Sequence, residues 1–305
     1  MADLDAVIVN YRSAALTGAC VEALHRARAA DGVAATITVV NNSDDGAELT
    51  DTVDRAGGAT MIQNAANLGF GTACNAGAAR GSADVLLFLN PDAAVSPGCL
   101  RACLEFLSNP AHADIGILGP QLRDATGEIA LSCARSPTFG DLVWQTLGLH
   151  LLIPGTGFPY LPRATHLRSG DVGQVMGAVL FIRRRVFAQL RGFDERFFLY
   201  YEDVDLCARA AAAGWRSHLL VVAQATHIGA GSSATAAGRS LGLHAVSRAA
   251  YARKHFGGAA GLIITLLSLV VEFPLRAARA MAKGAPVGPV LEAWGLAAKS
   301  ALGAR

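Results

Sequence analysis

Val85-Leu86-Leu87-Phe88-Leu89-Asn90-Pro91-Asp92 is the stretch whose reading decides the fold. Five apolar residues in a row, with no polar alternation, fit a strand buried on both faces, as in a parallel sheet. Asn-Pro then breaks the strand, because the proline ring disfavours continued regular structure. A carboxylate follows where open α/β sheets bind their ligands, beyond the carboxyl ends of the strands. Placed there, Asp92 can hold a hard divalent cation, and the cation can neutralise a diphosphate. Taken alone, Asn-Pro-Asp reads as readily as a plain turn.

Upstream, apolar runs at residues 6–9, 36–40 and 60–62 alternate with helical patterns over 14–30, 47–56 and 68–80, and 100–107 is helical again. Strands alternating with helices predict an α/β fold with a mostly parallel central sheet covered on both faces. The residues after each strand then matter most: Asn10-Tyr11, Asn41-Asn42, Asn64 and Asn90-Pro91-Asp92. Past Pro120 the pattern loosens. The expectations are a hairpin over 121–132, a proline- and glycine-rich loop or lid over 154–162, strands over 175–182 and 215–222, and a helix over 202–213 closed by Gly214.

The 305 residues, 52% hydrophobic and 16% charged, suffice for one large α/β domain with an appendage. A formal charge of +2, with no basic run interleaved with aromatics, argues against nucleic acid as a partner. The six cysteines form no Cys-x-x-Cys pair and read as small core residues of a reducing compartment. The chain enters an apolar strand almost at once, with no basic leader, so a cytoplasmic location is expected. The tail differs in kind. Residues 256–271 carry no charge over sixteen positions, and Arg276, Arg279 and Lys283 follow on one helical face. That pattern fits an amphipathic helix lying on an anionic membrane, peripheral to its inner face, or equally a helix pair packed on the core. The expected division is a domain over 1–255, with halves of about 1–119 and 120–255, and a helical segment over 256–305.

Two more stretches carry chemistry. In Gly192-Phe193-Asp194-Glu195-Arg196-Phe197-Phe198-Leu199-Tyr200-Tyr201-Glu202-Asp203-Val204-Asp205, three carboxylates in four positions open a helix. Acids in a first turn complement the helix dipole, but the aromatic run before them is an odd place for solvating charges. A carboxylate beside apolar walls has its pKa raised, which suits a general base. In Thr226-His227-Ile228-Gly229-Ala230-Gly231-Ser232-Ser233, a histidine directly after a strand precedes a glycine- and serine-bearing loop suited to metal and phosphate.

Taken in order, Val7-Ile8-Val9-Asn10-Tyr11, Val39-Val40-Asn41-Asn42-Ser43, Asn67-Leu68-Gly69-Phe70-Gly71 with Asn75 and Gly77, Leu89-Asn90-Pro91-Asp92, Met176-Gly177-Ala178, Gly192-Phe193-Asp194-Glu195 and Glu202-Asp203-Val204-Asp205 resemble the family 2 inverting glycosyltransferases. Within them the chain looks most like the bacterial rhamnosyltransferase branch. The resemblance spans roughly residues 4–250. It implies a GT-A fold, a nucleotide-diphosphate sugar as donor and a divalent metal, Mg2+ or Mn2+.

Carried over residue by residue, the resemblance puts Asn10, Tyr11 and Asn41 at the base and ribose, and Asn67 and Asn75 on the nucleotide side of the cleft. Asn90 and Asp92 fall on the Asp-x-Asp motif, with His227 completing the metal site. Met176, Gly177 and Ala178 fall on the acceptor side, Asp203 on the catalytic base and Glu202 beside it. Asn90 stands in place of the first acid of Asp-x-Asp, and Asn41 where many relatives have Asp. The function implied is transfer of a sugar, L-rhamnose from dTDP-rhamnose, to a glycan or polyprenyl-linked acceptor in cell-envelope polysaccharide synthesis. The alternatives are a galactofuranosyl- or hexosyltransferase using a UDP-sugar, or a non-catalytic nucleotide-sugar-binding protein of the same fold. A nicotinamide-dependent oxidoreductase predicts Gly-x-Gly-x-x-Gly after the first strand, and Asn10-Tyr11-Arg12-Ser13 is not that turn.

Overall fold

Val85–Leu89 is a strand near the middle of a nine-stranded sheet, and every one of its residues is buried. The computed structural model describes residues 3–149, 161–229 and 237–303. Its first part alternates as expected: β1 (Leu4–Asn10), α1 (Ala14–Asp31), β2 (Ala35–Asn41), α2 (Gly46–Arg55), β3 (Thr60–Gln63), α3 (Phe70–Ala78) and β4 (Val85–Leu89). Then follow β5 (Ala93–Val95), α4 (Cys99–Ser108), β6 (Ile115–Arg123), β7 (Cys133–Ala134) and α5 (Phe139–Thr146). Next come β8 (Gly170–Val172), β9 (Gln174–Val175), β10 (Val179–Arg183), α6 (Arg184–Gln189), α7 (Glu202–Ala212) and β11 (Arg216–His227). Four long helical elements close the chain: α8 (Ala237–Phe256), α9 (Gly258–Leu267), α10 (Phe273–Ala282) and α11 (Gly288–Ala301), with a π-helical turn, Ser268–Glu272, between α9 and α10.

By packing, the chain divides into two units. One comprises Met1–Ser136, Tyr160–Glu195 and Glu202–Ser232, the other Pro137–Pro159, Arg196–Tyr201 and Ser233–Arg305. The division therefore falls at residue 233 rather than 256, because α8 packs along α9 and α11.

In the first unit the sheet runs β3-β2-β1-β4-β10-β6-β11-β5, with β8 on β11. The half β3-β2-β1-β4 is wholly parallel; β10 runs antiparallel to β4 and β6, and β11 is parallel to β6. The period of two sorts the core into layers. Leu4, Ala6 and Ile8 of β1 join Leu87 and Leu89 in one cluster, while Val7 and Val9 join Leu86 and Phe88 in the other. Gly77 lets α3 lie close on β1, since a Cβ there would stand 2.4 Å from Val7 Cγ1. All six cysteines are free and buried, as the spacing implied.

Several expectations shift. Residues 175–182 are not one strand: β9 pairs with β7 in a separate ribbon, and Met176-Gly177-Ala178 crosses to β10. β6 had no clear signal because Gly116, Gly119 and Pro120 interrupt it. β11 runs to His227, with an irregular register between Leu220 and Gln224. The 121–132 hairpin is reduced to a single bridge, Arg123 to Ile129. Of the 154–162 loop only its end is described, and Ala230-Gly231-Ser232-Ser233 lies outside the described residues.

In the second unit α8 packs on α9 and α11, around Ala245, Phe273, Ala293 and Ala297. The buried Arg248 guanidinium donates to Glu272 and to Ser268 Oγ at 2.9 Å, and Arg276 donates to the other Glu272 oxygen at 3.1 Å. Gly258–Ala282 is one helix of 25 residues, long and apolar enough by length and composition to cross a membrane. The packing of α8 on α9 and α11 is the helix pair that the tail's second reading expected. One face, with Ala260, Gly261, Ile264 and Ser268, is buried, and Leu262, Ile263, Leu266 and Val270 are exposed.

Candidate active site

The carboxyl ends of β1 and β2 carry a closed polar network. Asn10 is fully buried. Its Nδ2 donates to Asn41 Oδ1 at 2.9 Å, to Ser43 Oγ at 3.2 Å and to the Asp45 carboxylate at 3.1 Å. Its Oδ1 accepts from Ser13 and Thr17. Asn41 in turn donates to Gln63 Oε1 at 2.9 Å. Both amides, expected at the base and ribose, are thus engaged inside the protein, where they position the strand ends. Asp45 is the charged member of this network. Burial alone would raise its pKa, but hydrogen bonds from Ser43, Asn10 and Asn41 outweigh that and hold the carboxyl below its ordinary value. Its sequence signal is faint, an acid four residues past the end of β2. Tyr11 is half-buried with the Arg12 guanidinium 5.6 Å from its ring centre.

Asn67 and Asn75 shape loops. Asn67 Oδ1 accepts from Gly69 N at 3.0 Å, in the turn that starts α3. Asn75 clamps the loop after α6: it accepts from Phe193 N at 2.8 Å and donates to Phe193 O at 3.0 Å and Glu195 Oε1 at 3.2 Å. Gly192 is required there. Its φ is +73°, and a Cβ would stand 2.5 Å from Asn75 Oδ1.

Asp92 and His227, far apart in sequence, are brought together by strand register. Ala93 of β5 pairs with His227 of β11, and Ile228 N donates to Asp92 O at 3.1 Å. His227 Nε2 lies 3.2 Å from Asp92 Oδ1, with the side chains 17% and 9% exposed, so a ligand can reach both. Two neighbouring ligands of an octahedral ion with bonds of about 2.0–2.1 Å stand about 3 Å apart, so the pair fits two positions of a divalent cation. Among the described residues no group of three or more His, Cys, Asp or Glu could hold a metal. The remaining positions would fall to the diphosphate and water.

The third element is the start of α7. Asp203 accepts from Gly177 N and from Val204 N, both at 2.8 Å. Burial pushes its pKa up, and these amides with the Gln174 side chain only partly pull it back. Burial, then the neighbouring Asp203 charge, pushes Glu202 up to about 8, and its Oε2 is buried with no hydrogen-bond partner. At neutral pH Glu202 therefore carries a proton. Asp205 belongs elsewhere: fully buried, it accepts from Arg209 at 2.7 Å, and Arg209 also donates to Leu190 O and Gly192 O. Gln174 gave no signal in the sequence, since a two-residue strand has no readable period. Just before α7, Tyr200 and Tyr201 hold φ of +68° and +67°, a conformation that bulky side chains adopt at a cost.

The Met176-Gly177-Ala178 crossing joins the two chemistries. Gly177 N holds Asp203, and Ala178 O accepts from Asn90 N at 2.9 Å, two residues before Asp92. Asp92 and Asp203 therefore share the sheet edge formed by the end of β4 and the start of β10.

Residues 2–242 match the family described as glycosyltransferase like family 2. Over 205 residues the chain is 34% identical to the N-acetylglucosaminyl-diphospho-decaprenol L-rhamnosyltransferase of Mycobacterium tuberculosis, covering 61% of this chain and 64% of that protein. The match thus spans under two thirds of that relative's length. Over 145 residues it is 26% identical to rhamnosyltransferase WbbL of Escherichia coli, covering 47% and 52% of the two chains. In fold it is similar to the mannosyltransferase PcManGT of Pyrobaculum calidifontis, solved with GDP-Man and Mn2+, at a TM-score of 0.55 and 15% identity over 98% of this chain and 80% of the other. With a GT-A fold and a match over most of its length, the chain belongs to glycosyltransferase family 2.

Proposed function

We propose that the chain is an inverting glycosyltransferase that moves L-rhamnose from a nucleotide diphosphate, dTDP in this reading, to a hydroxyl of a lipid-linked glycan. The observation that carries it is the convergence of Asp92–His227 and Asp203 on one sheet edge through Asn90, Ala178 and Gly177. An inverting transfer needs a base on the acceptor side and charge stabilisation at the leaving group. Asp203, fixed by two backbone N–H groups, takes the acceptor proton as the acceptor oxygen bonds to the anomeric carbon and the bond to the diphosphate breaks. Glu202, with a pKa of about 8, stands protonated beside it at neutral pH. Asp92 and His227 would hold Mg2+ or Mn2+, which when bound neutralises charge on the departing diphosphate. The Asp45 carboxylate offers the acceptor at the nucleotide end of the edge that Asn10 and Asn41 do not. The two rhamnosyltransferase relatives favour rhamnose, and the decaprenol-linked substrate in one relative's name favours a polyprenyl-linked acceptor reached at the inner membrane surface.

Incubating the protein and Mn2+ with dTDP-rhamnose, UDP-galactofuranose or UDP-hexoses, and an N-acetylglucosaminyl-diphospho-lipid, tests this. Rhamnosyl product of inverted anomeric configuration is expected by mass spectrometry and NMR. Transfer only from a UDP-sugar would replace the donor, and no transfer from any would leave a binding protein.

A further inference from the structure

Gly177 N and the Gln174 side chain both bond to Asp203, and both come from one short segment, β9 and the crossing after it. Where Asp203 sits therefore depends on what fixes that segment. Its partner is β7, and the ribbon has two residue pairs, Cys133 with Val175 and Ala134 with Gln174. So short a two-stranded ribbon is marginal by itself. Met176 N adds a bond to Ser132 O at 2.9 Å. Gly173 allows the strands to close up, since a Cβ there would stand 2.2 Å from Ser136 N.

Further support comes from a histidine that the transfer chemistry does not use. His166 lies in a 3-10 turn, Arg163–Leu167, and is 1% exposed. Its Nε2 stands 3.0 Å from both Ser132 N and Cys133 N. Two N–H donors aimed at one ring nitrogen require a lone pair there. Nε2 is therefore unprotonated, and the ring proton sits on Nδ1, which donates to Pro162 O at 3.2 Å. Burial lowers the pKa of the ring, and the bond to Pro162 O only partly opposes this, so Nε2 stays free to accept. The turn is tied to the sheet in its own right, because Gln121 of β6 donates to His166 O at 2.6 Å. One imidazole thus satisfies two backbone N–H groups beside the ribbon and anchors it to β6.

We propose that His166 is a positioning residue for Asp203: it holds Ser132 and Cys133 in place, and through the bond from Met176 N to Ser132 O it sets where Gly177 N meets the carboxylate. The inference rests on Asp203 as the base in the function proposed above. A misplacement of about 1 Å, even one caused far from the chemistry, can cost about 10²-fold in rate.

Three variants differ in what they offer the two N–H groups. His166→Gln puts an amide oxygen where Nε2 stands, His166→Asn stops it short at the Nδ1 position, and His166→Leu offers no acceptor. Hydrogen–deuterium exchange of the full chain, read by mass spectrometry, follows peptides covering 174–178. Exchange there should quicken at least about tenfold in the Asn and Leu variants and stay within about twofold of the parent in the Gln variant. Peptides covering 85–89 should be unchanged in all three. In the transfer assay with Mn2+, dTDP-rhamnose and the lipid acceptor, the Asn and Leu variants should lose about 10–100-fold in kcat, with the donor KM within about twofold. The Gln variant should recover kcat to within about threefold. Added to Asp203→Asn, His166→Asn should subtract less than about twofold more, because a residue acting through the base then has nothing to position. Unchanged exchange in the Asn variant, equal losses from Gln and Asn, or an undiminished further loss in the double variant would overturn the assignment. So would faster exchange at 85–89, which would make His166 a general support of the fold. Parental turnover by Asp203→Asn would sink the base and leave the exchange contrast standing, so the two readings fail separately.

Discussion

The sheet edge and the helical unit both keep ionisable groups out of water, and they resolve the cost in opposite ways. In the helical unit the buried Glu272 is closed on all sides, by Arg248 at one oxygen and Arg276 at the other, with Ser268 on the guanidinium. At the sheet edge Glu202 and Asp203 sit side by side, and burial drives both pKa values up. Compensated charge of the first kind fixes geometry. A carboxyl without such compensation, as Glu202 with its pKa of about 8, can exchange a proton near neutral pH, which is what the proposed chemistry needs. Buried carboxylates in one chain thus differ in how their charge is compensated, although their burial is similar.

The sharpest way to break this contrast is Asp203→Asn. Loss of a general base costs about 10²–10⁴-fold in turnover, and affinity for the nucleotide diphosphate, read by calorimetry, should stay within about twofold of the parent. Near-parental turnover would make Asp203 as structural as Glu272. The converse substitution, Glu272→Ala, should destabilise the fold by about 3–5 kcal/mol, because Arg248 is left buried without its carboxylate. Thermal or denaturant unfolding reads this directly, and an unchanged midpoint would show that the closed network contributes little.

Asp92→Ala should weaken nucleotide-diphosphate binding about 10–100-fold in Mn2+, in the range found when support of a metal site is lost. Binding in chelator should not change, and His227→Ala should show a milder form of the same loss. Equal affinity of the parent in Mn2+ and in chelator would remove the metal from this edge.

The smallest effect is a pair of opposite pH slopes. Glu202 has a folded pKa of about 8 against 4.5, so between these values the folded state holds a proton that the unfolded state has released, and stability falls as pH rises. His244 on α8 is the reverse. Burial, then the Arg248 and Arg276 charges, lowers it to about 3, so stability falls as pH drops from 6.5 towards 3. One proton difference changes stability by about 1.4 kcal/mol per pH unit, a few degrees of melting temperature. Glu202→Gln should abolish the first slope and His244→Leu the second. If either variant kept the parental slope, the titration would belong to another group.

The amino-acid sequence by itself determined the parallel half of the sheet, because uninterrupted apolar runs such as Val85–Leu89 have no other stable home than a strand covered on both faces. It also determined that Asp92, Asp203 and His227 lie at element ends, since turn chemistry and the acid-rich helix start are local signals. Other features needed the tertiary structure. Strand register, a long-range property, put His227 Nε2 3.2 Å from Asp92. The break at Met176-Gly177-Ala178, invisible in an apolar run, supplied the N–H that holds Asp203. Hydrogen bonding turned Asn10 and Asn41 into supports and made Asp45 the charged member of their network, because an amide's role depends on which acceptors surround it. Packing likewise joined α8 to the tail and committed Arg276 to Glu272, pairings that helical spacing alone does not encode.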